Sequence, residues 1–160
     1  MRTIEQYLPD HPFFEGLDEP TLALIAGCAT NISLAAGEYL CHEGDAADQF
    51  FVVRRGRVAI EVHGPAAGTL VLDTADEGDV VGWSWLVPPY RSTFDARAAE
   101  PTGVVAFDGA CLRGKCENDP RLGYELMQRV SKVMNGRLVA AQVRLLDLYS
   151  ASGATDAASR

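Results

Sequence analysis

The 160-residue sequence has no apolar run that approaches the roughly 18 residues needed to cross a membrane. Its first residues also lack the apolar core of a secretory signal peptide. Basic residues are in the minority, with 14 lysines and arginines against 22 aspartates and glutamates and a formal net charge of −8. This balance argues against non-specific nucleic-acid binding, which depends on neutralising phosphates. We therefore expect a cytoplasmic protein that binds neither membranes nor DNA directly.

The sequence also lacks the residue patterns of common metal and catalytic sites. Its histidines are His11, His42 and His63, and its cysteines are Cys28, Cys41, Cys111 and Cys116. The histidines form no His-x-His pair, the cysteines form no Cys-x-x-Cys pair, and no Ser/His/Asp or Cys/His arrangement is evident. We expect no metal site and no enzymatic activity. The cysteines are expected to be buried thiols and not disulfides, with an iron–sulfur or redox role as the alternative.

The length and the 48% hydrophobic content predict one globular domain with a hydrophobic core. Residues 4–28 predict short helices, in which Asp18 caps one helix and Pro20 lies in its first turn. From Asn31 onward, short apolar runs alternate with turn signals such as Arg55-Gly56. Closely spaced short strands of this kind predict a mainly β barrel or two-sheet sandwich with flanking helices.

A long helix is predicted after Asp119, which can cap it, with Pro120 at its first position. It ends near Tyr149, spans about 29 residues and is about 43 Å long. One apolar seam resembles that of a coiled coil and consists of Met127, Val130, Met134, Leu138, Ala141, Leu145 and Leu148. The seam favours a homodimer, with packing back onto the barrel as the alternative. Residues 150–160 are small and polar and are expected to be disordered.

The stretch from Gly82 to Thr93 has the composition of a ligand site. It contains a glycine that permits close backbone approach, two prolines that stiffen the loop, and an arginine followed by two hydroxyl residues. Backbone N–H groups and a guanidinium together can hold an anion. The candidate ligand-binding residues are Gly82, Trp83, Ser84, Trp85, Arg91, Ser92 and Thr93. The two tryptophans either stack on a planar ligand or fill the pocket.

The run from Gly37 to Val58 closely resembles the first half of cyclic-nucleotide-binding domains, of the kind found in catabolite activator (Crp-Fnr-like) proteins. It has that family's order of Gly-Glu-x-Leu, Glu-Gly-Asp and Phe-x-Val-x-x-Gly-x-Val. The segment Pro12-Phe13-Phe14, the triplet Arg91-Ser92-Thr93 and the late helix also follow the family's order. The resemblance implies a jelly-roll-like β-roll (a double-stranded β-helix) of about eight strands. It would occupy residues 1–117 with its N-terminal helices, followed by the helix at 118–149 and the tail at 150–160.

In such domains the arginine of the phosphate-binding cassette binds the cyclic phosphate, a role that falls to Arg91 here, with Ser92 and Thr93 as further donors. The resemblance also implies that Gly82 opens a short helix and that the long helix closes over the base and mediates dimerisation. The family's glutamate after the cassette glycine, which takes the ribose 2′-hydroxyl, is replaced by Trp83. A lost hydrogen bond to a charged group costs about 1.5–3 kcal/mol. Cyclic AMP and cyclic GMP are candidate ligands, but the protein lacks the glutamate that usually accepts a hydrogen bond from their ribose. No cofactor is certain.

These observations favour a stand-alone sensor domain that binds a small anionic, nucleotide-like ligand. It would signal through its C-terminal helix to a separate effector protein. The alternative is a degenerate domain whose tryptophans occlude the pocket and which serves as a dimeric adaptor. A Crp-Fnr-type transcription regulator is a third interpretation. The acidic charge and the lack of a helix-turn-helix after the long helix disfavour it.

Overall fold

Two four-stranded antiparallel sheets form the body of the protein in a computed structural model, which describes residues 1–158. The strands are β1 (Ala29–Leu34), β2 (Tyr39–Cys41), β3 (Gln49–Arg55), β4 (Val58–Gly64), β5 (Gly68–Ala75), β6 (Val80–Val81), β7 (Asp95–Ala98) and β8 (Thr102–Asp108). The helices are α1 (Ile4–Tyr7), α2 (Glu19–Ala26), α3 (Gly109–Asn118) and α4 (Pro120–Ala158), and two 3₁₀ turns cover Leu8–Asp10 and Pro12–Phe14.

The strands follow the order β1-β8-β3-β6 in one sheet and β2-β7-β4-β5 in the other, so the chain crosses repeatedly between sheets. This arrangement confirms the predicted mainly β roll of eight strands with helices at both ends. Alternating side chains of the two sheets form one apolar cluster, which includes Val53, Val58 and Val104. A second cluster joins one end of the roll to the helices.

The N-terminal helices form as the sequence predicts. The Asp18 carboxylate accepts a hydrogen bond from the N–H of Thr21 (2.9 Å), and Pro20 lies in the first turn of α2. Phe13 and Phe14 are buried in the second cluster, where Phe14 packs 5.5 Å from the ring of Phe107. The N-terminal segment therefore covers the end of the roll that also receives α3 and α4.

Helix α4 begins at Pro120, and the Asp119 carboxylate accepts from the N–H groups of Arg121 and Leu122. Its first turns pack on the roll through Leu122, Leu126 and Val130, all of which are buried. Val130 therefore belongs to the core, and its assignment to the exposed seam is wrong. The rest of the seam is exposed in its distal half, from Met134 onward. The first half of the helix packs on the roll through apolar side chains. The second half carries an exposed apolar face and still contacts β5 through Arg144, which donates to the carbonyl of Leu72 and to the carboxylate of Asp73 (3.0 Å).

The end predicted for this helix is also wrong, because α4 continues past Tyr149 through Ala158. The helix contains 39 residues, about 58 Å at 1.5 Å per residue. Most of the predicted disordered tail is thus helical, and residues 159–160 lie outside the described residues. Alanine has the highest helix propensity of all residues, and three alanines between positions 151 and 157 favour this continuation.

Cys28 and Cys111 form a disulfide, which corrects the expectation of free thiols throughout. The pairing of β1 with β8 sets Ala29 opposite Phe107, so the residue before β1 lies beside the start of α3. The two cysteines are 83 residues apart in the sequence, so local spacing gave no sign of the pair. Cys41 and Cys116 are free.

No helix in the part of the chain that the structure describes is long and apolar enough to cross a membrane.

Candidate functional site: the cassette after β6

The cassette, residues Gly82 to Thr93, leaves the end of β6 through a sharp turn. Gly82 has a φ of +90°, a conformation that glycine adopts without strain. Hydrogen bonds from Leu86 N to the carbonyl of Trp83 (3.1 Å) and from Val87 N to the carbonyl of Ser84 (3.2 Å) form a single turn. Prolines follow at once and cannot donate the next bond. The cassette is therefore a series of turns and not the short helix that the family resemblance implies.

The two tryptophans have different environments. Trp85 is fully buried, and its ring stacks on Phe50 at a centroid distance of 4.9 Å. Trp83 is half-buried and meets Phe94 edge-on, with centroids 6.3 Å apart. Trp85 thus fills the core and cannot reach a ligand in this conformation, whereas part of the Trp83 surface is open.

The cassette ends against the turn between β2 and β3. Ser92 N donates to the carbonyl of Asp45 (2.9 Å), and Gly44 N donates back to the carbonyl of Ser92 (2.8 Å). The exposed Arg91 side chain donates from Nη1 to the carbonyl of Gly44 (3.2 Å). Among residues through Gly153, no carboxylate forms an ion pair with Arg91. Its charge is therefore held at the surface of the cassette without being neutralised.

The buried carboxylate of Asp95, at the start of β7, fixes this turn. Its Oδ1 accepts from the N–H of Glu43 (2.7 Å) and lies 3.7 Å from His42 Nδ1, and its Oδ2 lies 2.5 Å from His63 Nε2. The hydrogen bond from Glu43 lowers the pKa of the Asp95 carboxyl, and the histidines add to this effect against the opposing effect of burial. His42 and His63, which are distant from Asp95 in the sequence, thus both lie beside its carboxylate, next to the turn that Arg91 contacts.

The cavity between the cassette and the roll is almost closed. Its volume is about 10 Å³, close to the space of one water molecule, whereas ligand pockets measure about 300–1,000 Å³. Its lining consists of Cys41, Ala47, Gln49, Phe51, Val81, Gly82, Ser84, Ser92 and Phe94. Three of the seven candidate residues, Gly82, Ser84 and Ser92, therefore line this cavity. The other four candidates do not line it: Trp83, Trp85, Arg91 and Thr93.

Both C-terminal helices contact the cassette through an arginine. Arg113 of α3 donates to the carbonyl of Trp85 (2.6 Å), and its guanidinium lies 4.6 Å from the ring centre of Tyr90. Arg137 of α4 donates to the carbonyl of Val80 (2.6 Å), just before the cassette, and its guanidinium lies 5.6 Å from the ring centre of Trp83. Arg137 thus contacts the beginning of the cassette, and Arg113 contacts its middle and later part.

The family model described as a cyclic nucleotide-binding domain matches residues 31–119. The chain belongs to this family. A crystal structure of a candidate cyclic nucleotide-binding protein from Geobacter metallireducens is 30% identical with a TM-score of 0.77, and the match covers 86% of this chain and 99% of that one. No curated protein matches the sequence.

Two more distant structures show the same fold. The catabolite activator protein of Thermus thermophilus is 20% identical with a TM-score of 0.68, over 87% of this chain and 63% of that one. The regulatory domain of Toxoplasma gondii PKA, crystallised with cAMP, is 17% identical with a TM-score of 0.70, over 83% of this chain and 49% of that one. The chain therefore spans only about half to two thirds of these larger proteins.

The sequence marks the cassette of this cyclic nucleotide-binding domain but not the arginines of α3 and α4 that contact it. Arg113 is 28 residues from its partner Trp85, and Arg137 is 57 residues from Val80. Neither arginine belongs to a motif, so no sequence signal marks it. Cys41, expected only to be a buried thiol, and Gln49, given no role in the site, also line the cavity. Burial raises the pKa of the Cys41 thiol, which is thereby kept protonated beside the cavity.

A much larger cavity, about 1,090 Å³, lies on the other side of Arg137, where α4 leaves the roll. Its walls include Phe13, Val80, Lys132 and Gly136. Arg137 lines this cavity and also faces Trp83, so it separates the open groove from the closed cassette.

Proposed function

We propose that this chain is a regulatory domain that senses a small anionic ligand at the cassette and transmits its occupancy to α4. The observation that carries this proposal is the double contact of Arg113 and Arg137 with the cassette. Since the cavity holds about one water, a ligand enters only if the cassette moves outward. Such a movement disturbs at least one of the two arginines and so repositions the helix that carries it.

The chemistry of the cassette favours a phosphate or carboxylate. Arg91 offers an exposed guanidinium that no carboxylate neutralises within the residues through Gly153, and Ser84 and Ser92 add hydroxyl donors at the cavity. Trp83 stands where the family has a ribose-binding glutamate, so the anion and not the 2′-hydroxyl would dominate recognition. The cAMP bound to the Toxoplasma relative makes cyclic nucleotides the first ligands to test.

The output of the domain is proposed to be α4, acting on a separate effector protein. The distal half of this helix carries exposed apolar side chains at Met134, Leu138, Leu145 and Leu148, with exposed fractions of 37–65%. Their steps of three, four and seven residues form a continuous stripe, as in a two-stranded coiled coil. We therefore propose a homodimer through this seam.

A titration with cAMP, cGMP and AMP, followed by heat and by tryptophan fluorescence, tests the ligand proposal. We expect saturable binding of one of the three, and Arg91→Gln should weaken it ten- to a hundredfold, the loss of about 1.5–3 kcal/mol for a charged hydrogen bond. Arg121→Gln, an exposed arginine in the first turn of α4, is the matched control and should bind like the wild type. Binding that survives Arg91→Gln would refute the assigned site.

The coupling to α4 has its own readout. Hydrogen exchange of α4 should change on ligand binding in the wild type, and Arg137→Gln should keep the binding but reduce that change. An unchanged response in Arg137→Gln would show that the arginine transmits nothing.

A second function is favoured by the closed cavity and by the burial of Trp85. In this alternative the domain binds no small ligand and serves as a dimeric adaptor. It predicts no heat with any of the three nucleotides, together with a dimer in sedimentation that persists in Arg91→Gln.

A further inference from the structure

We propose that Cys28 and Cys111 form a thiol–disulfide switch that controls whether the cassette can open. The pair joins the residue before β1 to the first turn of α3, with Cα atoms 5.8 Å apart. That separation is ordinary for a disulfide, so the pair needs no backbone movement to form. The inference rests on the proposed function only in that the opening would admit the ligand. The switch itself requires no ligand.

The first turn of α3 is in direct contact with the cassette. Gly109 N donates to the carbonyl of Asp48 (2.6 Å), and a Cβ at Gly109 would lie only 3.0 Å from the Cβ of Trp85. Two residues beyond the disulfide, Arg113 donates to the Trp85 carbonyl and covers the Tyr90 ring. The cassette therefore cannot move outward at Trp85 or Tyr90 without separating from this turn of α3.

The disulfide fixes that turn in place. On one side Cys28 is buried, with 6% of its surface exposed, and its carbonyl accepts from Asp108 N (2.8 Å). On the other side the Asp108 carboxylate caps α3 by accepting from Cys111 N (2.8 Å). With the covalent link present, the start of α3 is tied to β1 in the core, and Arg113 is held over the cassette.

The chemistry of the switch is thiol–disulfide exchange with a dithiol reductant. Cys111 is the more exposed partner, so a thiolate of the reductant attacks its Sγ, the bond between the two cysteines breaks, and Cys28 leaves as a thiolate that takes up a proton. The second thiol of the reductant then displaces Cys111, which is protonated in turn. The protein gains two electrons and two protons, and the reductant becomes a disulfide. A disulfide oxidant reverses each step.

After reduction, only noncovalent contacts hold the first turn of α3, and local opening of the cassette becomes easier. The observable groups are the N–H groups of Gly44, Ala47 and Ser92, whose bonds to the carbonyls of Ser92, Tyr90 and Asp45 join the cassette to the turn between β2 and β3. Outward movement of the cassette breaks these bonds and exposes the N–H groups to exchange with solvent.

The experiment compares hydrogen exchange of oxidised protein with that of protein reduced by dithiothreitol. We expect exchange at Gly44, Ala47 and Ser92, referred to as cassette exchange, to accelerate about tenfold on reduction, equivalent to about 1.4 kcal/mol less opening free energy. The amides of Gly78 and Asp79, whose bonds to the carbonyls of Val53 and Asp76 involve neither α3 nor the cassette, should change by a smaller factor. Oxidised glutathione should restore the slow exchange. A Cys116→Ser variant, which removes a free cysteine outside the cassette cavity, should behave like the wild type.

Two variants isolate the cause. Cys28→Ser/Cys111→Ser should show fast cassette exchange that dithiothreitol no longer alters. Arg113→Gln should show fast cassette exchange even when oxidised, because it removes the contact that the disulfide holds in place.

The proposal is overturned if non-reducing mass spectrometry finds no link between Cys28 and Cys111. It is equally overturned if reduction leaves cassette exchange unchanged or accelerates the amides of Gly78 and Asp79 to the same extent. None of these readouts depends on nucleotide binding, so failure of the switch and failure of the ligand proposal are separable.

Discussion

Replacing Cys28 and Cys111 with serine should destabilise the protein by several kcal/mol, because the disulfide closes a loop with a sequence separation of 83 residues. In the chain-entropy account, a cross-link removes conformations from the unfolded state in proportion to the logarithm of loop length. For a loop of this size, the expected loss of unfolding free energy is about 4.5 kcal/mol. A protein of this length should then melt roughly 9–18 °C lower.

Urea unfolding of oxidised wild type, reduced wild type and the double serine variant measures this effect. The oxidised protein should be the most stable, and the two forms without a cross-link should agree, since serine is close in size to a cysteine thiol. Cys116→Ser, which removes a free cysteine, is the control and should follow the wild type under both conditions. A difference below about 1 kcal/mol between oxidised and reduced protein would refute the reasoning, because it would mean that the unfolded chain is already compact across this loop.

Three further predictions follow from the core, the turn and the seam. Trp85→Ala should destabilise by about 3–5 kcal/mol in urea unfolding, because it empties a buried stack on Phe50, and Trp83→Ala, at a half-buried ring, should cost clearly less. Asp95→Asn should destabilise by about 1.5–3 kcal/mol at pH 7, and the difference from wild type should shrink as acid protonates the wild-type carboxylate. Leu138→Gln/Leu145→Gln should convert a dimer into a monomer in sedimentation without lowering the melting temperature of the roll, since both side chains are exposed.

The sign of the acid effect follows from the lowered pKa of Asp95. A carboxyl whose folded pKa lies below its unfolded value of about 3.9 stabilises the protein fully at pH values above that unfolded value. The contribution is lost as pH falls through the folded pKa. Equal stabilities of wild type and Asp95→Asn at pH 7 would contradict the assigned role, as would a difference that does not shrink as pH falls below the unfolded pKa.

The fold could be predicted from sequence because its signals are local. Strands β3 and β4 are apolar runs on either side of Arg55-Gly56, and the α4 start is encoded in Asp119-Pro120. Turn residues and caps depend on neighbours within a few positions, so one sequence reveals them. The C-terminal end of α4 was harder to predict, because the alanines and serines after Tyr149 are compatible both with a helix and with disorder.

The state of the candidate site could not be predicted, because it depends on contacts between distant segments. Nothing in the sequence distinguishes Trp83, which keeps an open face, from Trp85, which stacks in the core two residues later. The Cys28–Cys111 pair depends on the β1–β8 register, and the arginine contacts depend on how two helices pack on the roll. Each of these is fixed only after the topology is known.

The tryptophan at position 83 and the arginine at position 137 act together in the proposed signalling. A carboxylate at position 83 would compete with Asp73 for the Arg137 guanidinium, whereas the indole offers only a cation–π contact of about 0.5–2 kcal/mol. Such a contact can be broken by a moderate rearrangement of the cassette, and its energy overlaps the range of about 1–3 kcal/mol that is typical of coupling between sites. A ligand shifts the position of α4 only by its difference in affinity for the open and closed cassettes. Under the proposed function, a weak contact at Trp83 would let a small anion, which gains few interactions of its own, separate the cassette from Arg137 of α4.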